Sequence, residues 1–108
     1  MVSDKVATEE DRKLRDYEMV LIVSPEVTEE KFGATIDNIS RFITERGGIV
    51  SGMEQWGKRR LAYPIRHFVE GNYVLARFKL EPPVGKELEE SLRISEDILR
   101  HLLVRLDD

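Results

Sequence analysis

The chain predicts an α+β fold, a four-stranded antiparallel sheet with two helices on one face. Two observations carry this. Short apolar runs rich in branched and aromatic side chains occur at four places, and apolar residues repeat at helical spacing at two others. Their order is β-α-β-β-α-β, and two helices with one apolar stripe each can cover only one face of such a sheet. At 108 residues the chain is long enough to fold as one domain without staples. Residues 1–13, rich in charge and poor in apolar groups, are expected to form a flexible N-terminal arm, and residues 14–108 the domain.

The first strand is YEMVLIVS, 17–24, stopped by Pro25. Thr28 then opens a helix as N-cap, with Glu29 and Glu30 in the first turn where they complement the helix dipole. Phe32, Ile36, Ile39 and Ile43 make its apolar stripe, and Gly47-Gly48 supplies the left-handed stop. Ile49 to Tyr63 reads as a long strand interrupted at Gly57. Pro64 is expected to begin a loop that ends at Gly71-Asn72, before the returning strand YVLARFKL, 73–80. Pro82-Pro83 start a second helix with Val84, Leu88 and Leu92 on one side, ending near Ile94. ILRHLLVRL, 98–106, is read as the last strand, although its apolar pattern also fits a helix.

Composition narrows the function. Hydrophobic residues at 41% and charged residues at 35% describe a globular protein with a highly charged surface. The absence of cysteine excludes a disulfide framework, a thiolate nucleophile and a Cys-ligated metal, and fits a reducing cytoplasm. No apolar run approaches the ~20 residues of a membrane span, and the first residues lack the apolar core of a secretory signal. The chain is therefore expected to be cytoplasmic. Gly52 to Lys58 matches the first seven places of the phosphate-loop pattern G-x-x-x-x-G-K-[ST], but Arg59 stands where Ser or Thr must hold magnesium, and no helix follows. Nothing spaces Ser, His and acid as a catalytic triad, and His67 and His101 are isolated from other ligand types. No catalytic residue, metal or cofactor is expected. Asn38-Ile39-Ser40 lies mid-helix in a chain without a secretion signal and is not read as a glycosylation site.

Two features remain. The sheet face away from the helices is open, and strand alternation places Glu18, Val20 and Ile22 on one side of the first strand and Tyr73, Leu75, Arg77 and Lys79 on one side of the third. Apolar content there marks a docking surface, unless the chain's own tail or loops cover it. The second feature is a run of Lys58, Arg59, Arg60 and Arg66 with Trp56, Tyr63 and His67, without an acid, in a chain of net charge -4. Such charges can neutralise phosphates and such rings can stack on bases. Alternation sends Lys58 and Arg60 to one side and Arg59 to the other. A competing reading is that the charges only keep an edge strand from pairing with other chains.

Three stretches, RDYEMVLIV at 15–23, WGKRRLAYPI at 56–65 and EGNYVLARF at 70–78, resemble in order and spacing the bacterial small-subunit ribosomal protein number six family. The run Arg59-x-Leu-Ala-Tyr-Pro-Ile is the most specific part, and the likeness extends from about Leu14 to Val104. The resemblance implies a ferredoxin-like domain in the platform of the small subunit. It implies pairing with ribosomal protein number eighteen and, as that pair, binding to the central domain of 16S rRNA. The family's basic and aromatic positions fall here on Arg15, Trp56, Lys58, Arg59 and Tyr63. Residues 1–13 precede the family's usual start, and the chain ends near the last strand without the tail some members carry.

An acidic chain is a poor independent ligand for phosphates, since affinity depends on the cations brought to them. The expected site is therefore composite. Arg15, Lys58, Arg59, Arg60 and Arg66 are the candidate RNA contacts, and Val20, Ile22, Trp56, Tyr63, Tyr73 and Leu75 the candidate surface for a basic protein partner. An RNA-recognition motif shares the topology, but only Glu70-Gly71-Asn72-Tyr73-Val74 meets its signature, without the leading base and first ring. A ferredoxin-like small-molecule-binding regulatory domain, or a module that binds only protein, is the other alternative; a small-molecule site would need convergent polar groups in a cleft.

Overall fold

Tyr17, Met19, Leu21 and Val23 alternate along one side of β1 (Arg15–Val23) and are all buried, which puts this strand in the middle of the sheet. The computed structural model describes residues 13–106. The expected arm over residues 1–13 lies, Lys13 apart, outside the described residues. After β1 come α1 (Glu29–Glu45), β2 (Ile49–Ile65), β3 (Phe68–Leu80), α2 (Pro82–Arg93) and β4 (Ile98–Arg105). The sheet is antiparallel in the order β2-β3-β1-β4. This is the ferredoxin-like arrangement the sequence predicts, and β4 is a strand.

Both helices lie on the side of β1 that carries Tyr17 and Met19. Ile36, Ile39 and Ile43 of α1 and Leu88 and Leu92 of α2 join Met19, Val74, Phe78 and Leu80 in one apolar core. Within it the Tyr17 and Phe78 rings, opposite one another across β1 and β3, stack with centroids 5.8 Å apart. The Thr28 hydroxyl caps α1 by accepting from the Lys31 N–H at 3.2 Å. At the other end Gly47 turns the chain with φ +83°, and Gly48 passes so close to β3 that a Cβ there would stand 2.6 Å from the Leu80 Cδ2. The paired glycines answer two different demands, a left-handed turn and a close approach.

The expected loop between Pro64 and Asn72 is instead a continuation of the hairpin. β2 runs on to Ile65, the chain reverses at Arg66 and His67, and β3 begins at Phe68. Both turn residues take positive φ, 49° and 75°, as a two-residue hairpin turn matched to the sheet's twist requires. Asn and Gly are the usual occupants of such a turn, so Arg-His gave no signal of it. Pro64 is tolerated because β2 is an edge strand and Pro64 lies where its pairing is interrupted.

Candidate functional site

Two irregularities in β2 shape the outer part of the hairpin. Gln55 pairs with Val74 and Gly57 with Tyr73, so Trp56 is an extra residue in the ladder. Gly57 makes this bulge at φ +84°, a conformation open to glycine at little cost. The larger irregularity lies between Arg60, opposite Glu70, and Ile65, opposite Phe68. Leu61, Ala62, Tyr63 and Pro64 there face Val69 alone, and the surplus chain bends over the open face of the sheet. Leu61 packs on Ile22 and Leu99 in a second apolar cluster, with Ile65, Phe68 and Tyr73 around it. The Tyr63 hydroxyl accepts a hydrogen bond from Arg100 on β4, the opposite edge strand. Arg66 ties down the tip by donating to the Glu96 carbonyl at 3.2 Å. Gly71 is buried beneath the bend, where a Cβ would collide with the Ile22 Cγ2.

The open face is thus partly roofed at one end by the chain itself. Val20, Ile22, Leu61, Tyr63, Tyr73, Arg100 and Leu102 line the greater part of a groove of about 240 Å³ between the bent hairpin and β4. Leu102 at its edge and Val104 beyond it stand exposed on β4, opposite Val20 and Glu18. Of the residues expected to receive a partner, Val20, Ile22, Tyr63 and Tyr73 line this groove. Leu75 is on the same face but only 5% exposed, between Val20 and Glu54 across the ladder. Ile22 is nearly as buried, so these two form floor rather than surface. Arg100, Leu102 and Val104 were missed by the sequence reading; their alternation was visible, but the segment also fitted a helix.

A chain of polar contacts crosses the open face outside the groove. Arg77 donates to Glu18 at 2.9 Å and to Glu54 at 3.0 Å. Its hydrogen bond with Glu18 above all, and Coulombic attraction to both carboxylates, raise its pKa against a lowering by desolvation. The other oxygen of Glu54 accepts the Trp56 indole N–H at 3.1 Å. The Arg59 guanidinium lies over the Trp56 ring, 5.3 Å from its centroid, and its Nε donates to the Trp56 carbonyl at 3.5 Å.

Lys58, Arg59 and Arg60 are all exposed. Arg59, opposite Gly71, projects to the open side, while Lys58, opposite Asn72, and Arg60, opposite Glu70, project to the other. The cations therefore wrap the hairpin rather than line one face. Arg15 stands apart from them. It pairs with Leu80 on the helix-covered side of β1 and is 9% exposed. The rung from Arg59 to Gly71 is nine residues along β3 from that pair, about 30 Å at the rise of an antiparallel strand.

Charge on the open face is mixed. Asp16, Glu18 and Glu54 stand against Arg59, Arg77, Lys79 and Arg100, and Lys79 approaches Asp16 at 3.5 Å. Much of the chain's acidity lies instead on the helices and their flanks, in Glu29, Glu30, Glu45, Glu81, Glu87, Glu90, Glu96 and Asp97. Among the described residues no three His, Cys, Asp or Glu side chains group as metal ligands, and no helix is long and apolar enough to cross a membrane.

The family model for Ribosomal protein S6 matches residues 16–105. The small ribosomal subunit protein bS6 of Moorella thermoacetica is 42% identical over 95 residues, covering 88% of this chain and 97% of that one. The bS6 protein of Caldanaerobacter subterraneus subsp. tengcongensis is 43% identical over 95 residues, 88% of this chain and all of its own length. Among solved structures, the 30S ribosomal protein S6 of Thermotoga maritima superposes with a TM-score of 0.81 at 33% identity, over 87% of this chain and 89% of that one. With the fold and the basic hairpin already in place, these likenesses settle the relationship: the chain belongs to the ribosomal protein S6 family, structural proteins of the small ribosomal subunit and not enzymes.

Proposed function

We propose that the β2–β3 hairpin is this chain's contact with 16S rRNA, in the central domain and platform, and that the open sheet face beside it receives ribosomal protein number eighteen. The observation that carries this reading is the position of Lys58, Arg59 and Arg60, exposed on a hairpin whose inner edge borders an apolar groove. Cations on a protruding hairpin reach phosphates without bringing the acidic helices along. Arg66 adds a cation at the tip, with one guanidinium nitrogen already engaged by Glu96.

Because charge on the open face is mixed, this reading draws the partner's affinity from apolar burial on Val20, Tyr63, Tyr73, Leu102 and Val104 rather than from attraction between opposite charges. Its groove is about 240 Å³, below the ~300–1,000 Å³ of small-molecule sites, and its Arg100 and Tyr63 polar groups are bonded to each other. That favours a protein surface over a metabolite. The position of β2 at the sheet edge also gives its cations a second use, discouraging pairing with other chains.

The test is binding to a central-domain 16S rRNA fragment with and without ribosomal protein number eighteen, for the native chain and for Lys58→Ala/Arg59→Ala. Tight binding that needs the partner and weakens in the double variant is the expected result. Tight, salt-resistant binding by the chain alone would contradict the composite site. No binding in any combination would contradict the RNA contact itself.

A further inference from the structure

Three flat side chains of the hairpin could meet a base, and the structure separates them. Tyr63 is turned over the sheet, bonded to Arg100 and part of the groove wall. His67 sits at a positive-φ turn position beside the tied-down Arg66. Trp56 is ejected from the ladder at the Gly57 bulge, belongs to neither apolar cluster and is 40% exposed, and of the three it alone lies against a cation of the basic run, Arg59.

Its orientation is fixed at both ends. The indole N–H is taken by Glu54, itself held by Arg77, and Arg59 lies over the ring. With the ring's single donor occupied, what it can offer a partner is π surface. Arg59, on the same side of the sheet as the ring, repels a second cation, which disfavours a lysine or arginine of a protein partner, and it attracts a phosphate. A π surface with a cation at its side fits a base with its own phosphate.

We propose that Trp56 is a stacking platform for an unpaired base of the bound RNA, held in place by Glu54 and flanked by Arg59. This rests on the hairpin being the RNA contact. Recognition through a ring face is tolerant of base identity, and a purine gains more than a pyrimidine because it overlaps more of the indole.

Trp56 is the chain's single tryptophan, so its emission reports on this site alone. The experiment uses the full chain with the central-domain 16S rRNA fragment and ribosomal protein number eighteen, that partner's own emission subtracted. The native chain, Trp56→Leu, Trp56→Phe and Lys58→Ala/Arg59→Ala are compared for affinity, and each is melted to confirm its fold. RNA should quench Trp56 emission. Trp56→Leu should weaken binding roughly 5- to 100-fold and Trp56→Phe much less, the range of one lost base stack. Unchanged emission, with Trp56→Leu binding as tightly as the native chain, would overturn the platform. If the double variant still weakened binding, the hairpin contact itself would stand. Loss of protein-partner binding by Trp56→Leu without RNA would also overturn it, by making the ring a protein contact. Absence of RNA binding by the native chain would overturn both readings.

Discussion

Arg100 on β4 donates a hydrogen bond to the Tyr63 hydroxyl on β2, so the two edge strands are joined across the open face of the sheet. The two residues are 37 apart in sequence, and the guanidinium also lies 5.9 Å from the ring centroid. The contact exists because the excess residues of β2 bend over β3 and β1. Tyr63→Phe removes the hydrogen bond and keeps the ring. We expect a loss of about 0.5–1 kcal/mol in denaturant unfolding. Amide exchange should quicken over residues 61–69 and stay slow in β1 and the inner part of β3.

Gly71 and Gly33 make a matched pair of tests. Gly71 lies under the bend, and alanine there must displace Ile22. Gly71→Ala should cost about 1–3 kcal/mol and loosen the groove. Gly33 is an exposed position inside α1 with nothing within 4 Å of a new Cβ. Gly33→Ala should raise stability by about 0.5–1 kcal/mol, because helix formation then costs less backbone entropy. Chemical denaturation of the two variants checks both signs.

The hairpin turn stores strain that glycine would release. His67 at φ 75° carries a Cβ in a region that costs most residues about 1–2 kcal/mol. His67→Gly should stabilise the fold by about 0.5–1 kcal/mol after the added entropy of glycine in the unfolded chain is counted. RNA affinity should stay unchanged in the same variant, since the proposed contacts do not include His67. A melting curve and a binding isotherm on one preparation report both.

Legibility of the sequence followed the kind of signal each element carried. The stripes Ile36-Ile39-Ile43 and Leu88-Leu92, and the alternation in β1 and β3, depend on burial against one sheet face, so periodicity alone located the helices and the layer between them. The outer hairpin was misread because Pro64 and Gly71 are loop signals wherever they occur. Here Pro64 sits in an interrupted edge and Gly71 under a close-packed Ile22, reasons that exist only once the chain has bent. The basic run was plain in the sequence, as was the opposite facing of Lys58 and Arg59. Its separation from Arg15 by most of the length of β3 was not, because distance along a paired strand follows from register, which is fixed only by pairing across the sheet.

Arg15 provides the matching control for the basic surface. Its side chain is buried beside the Leu80 rung, so its stem packs even though its head is charged. Arg15→Ala should lower stability by on the order of 1–2 kcal/mol through the lost packing of its stem. At a temperature where the variant is folded, its affinity for RNA in the presence of ribosomal protein number eighteen should match that of the native chain.

The hairpin as the RNA contact is tested most directly by the salt dependence of assembly on the 16S rRNA fragment with its protein partner. Each phosphate contact contributes about 0.7–0.9 to the slope of log K against log salt. Lys58→Ala/Arg59→Ala should therefore flatten the slope by about 1.4–1.8, while Arg15→Ala leaves it unchanged. Equal slopes for the native chain and the double variant, or a flattening caused by Arg15→Ala instead, would contradict the assignment of RNA binding to the β2–β3 hairpin.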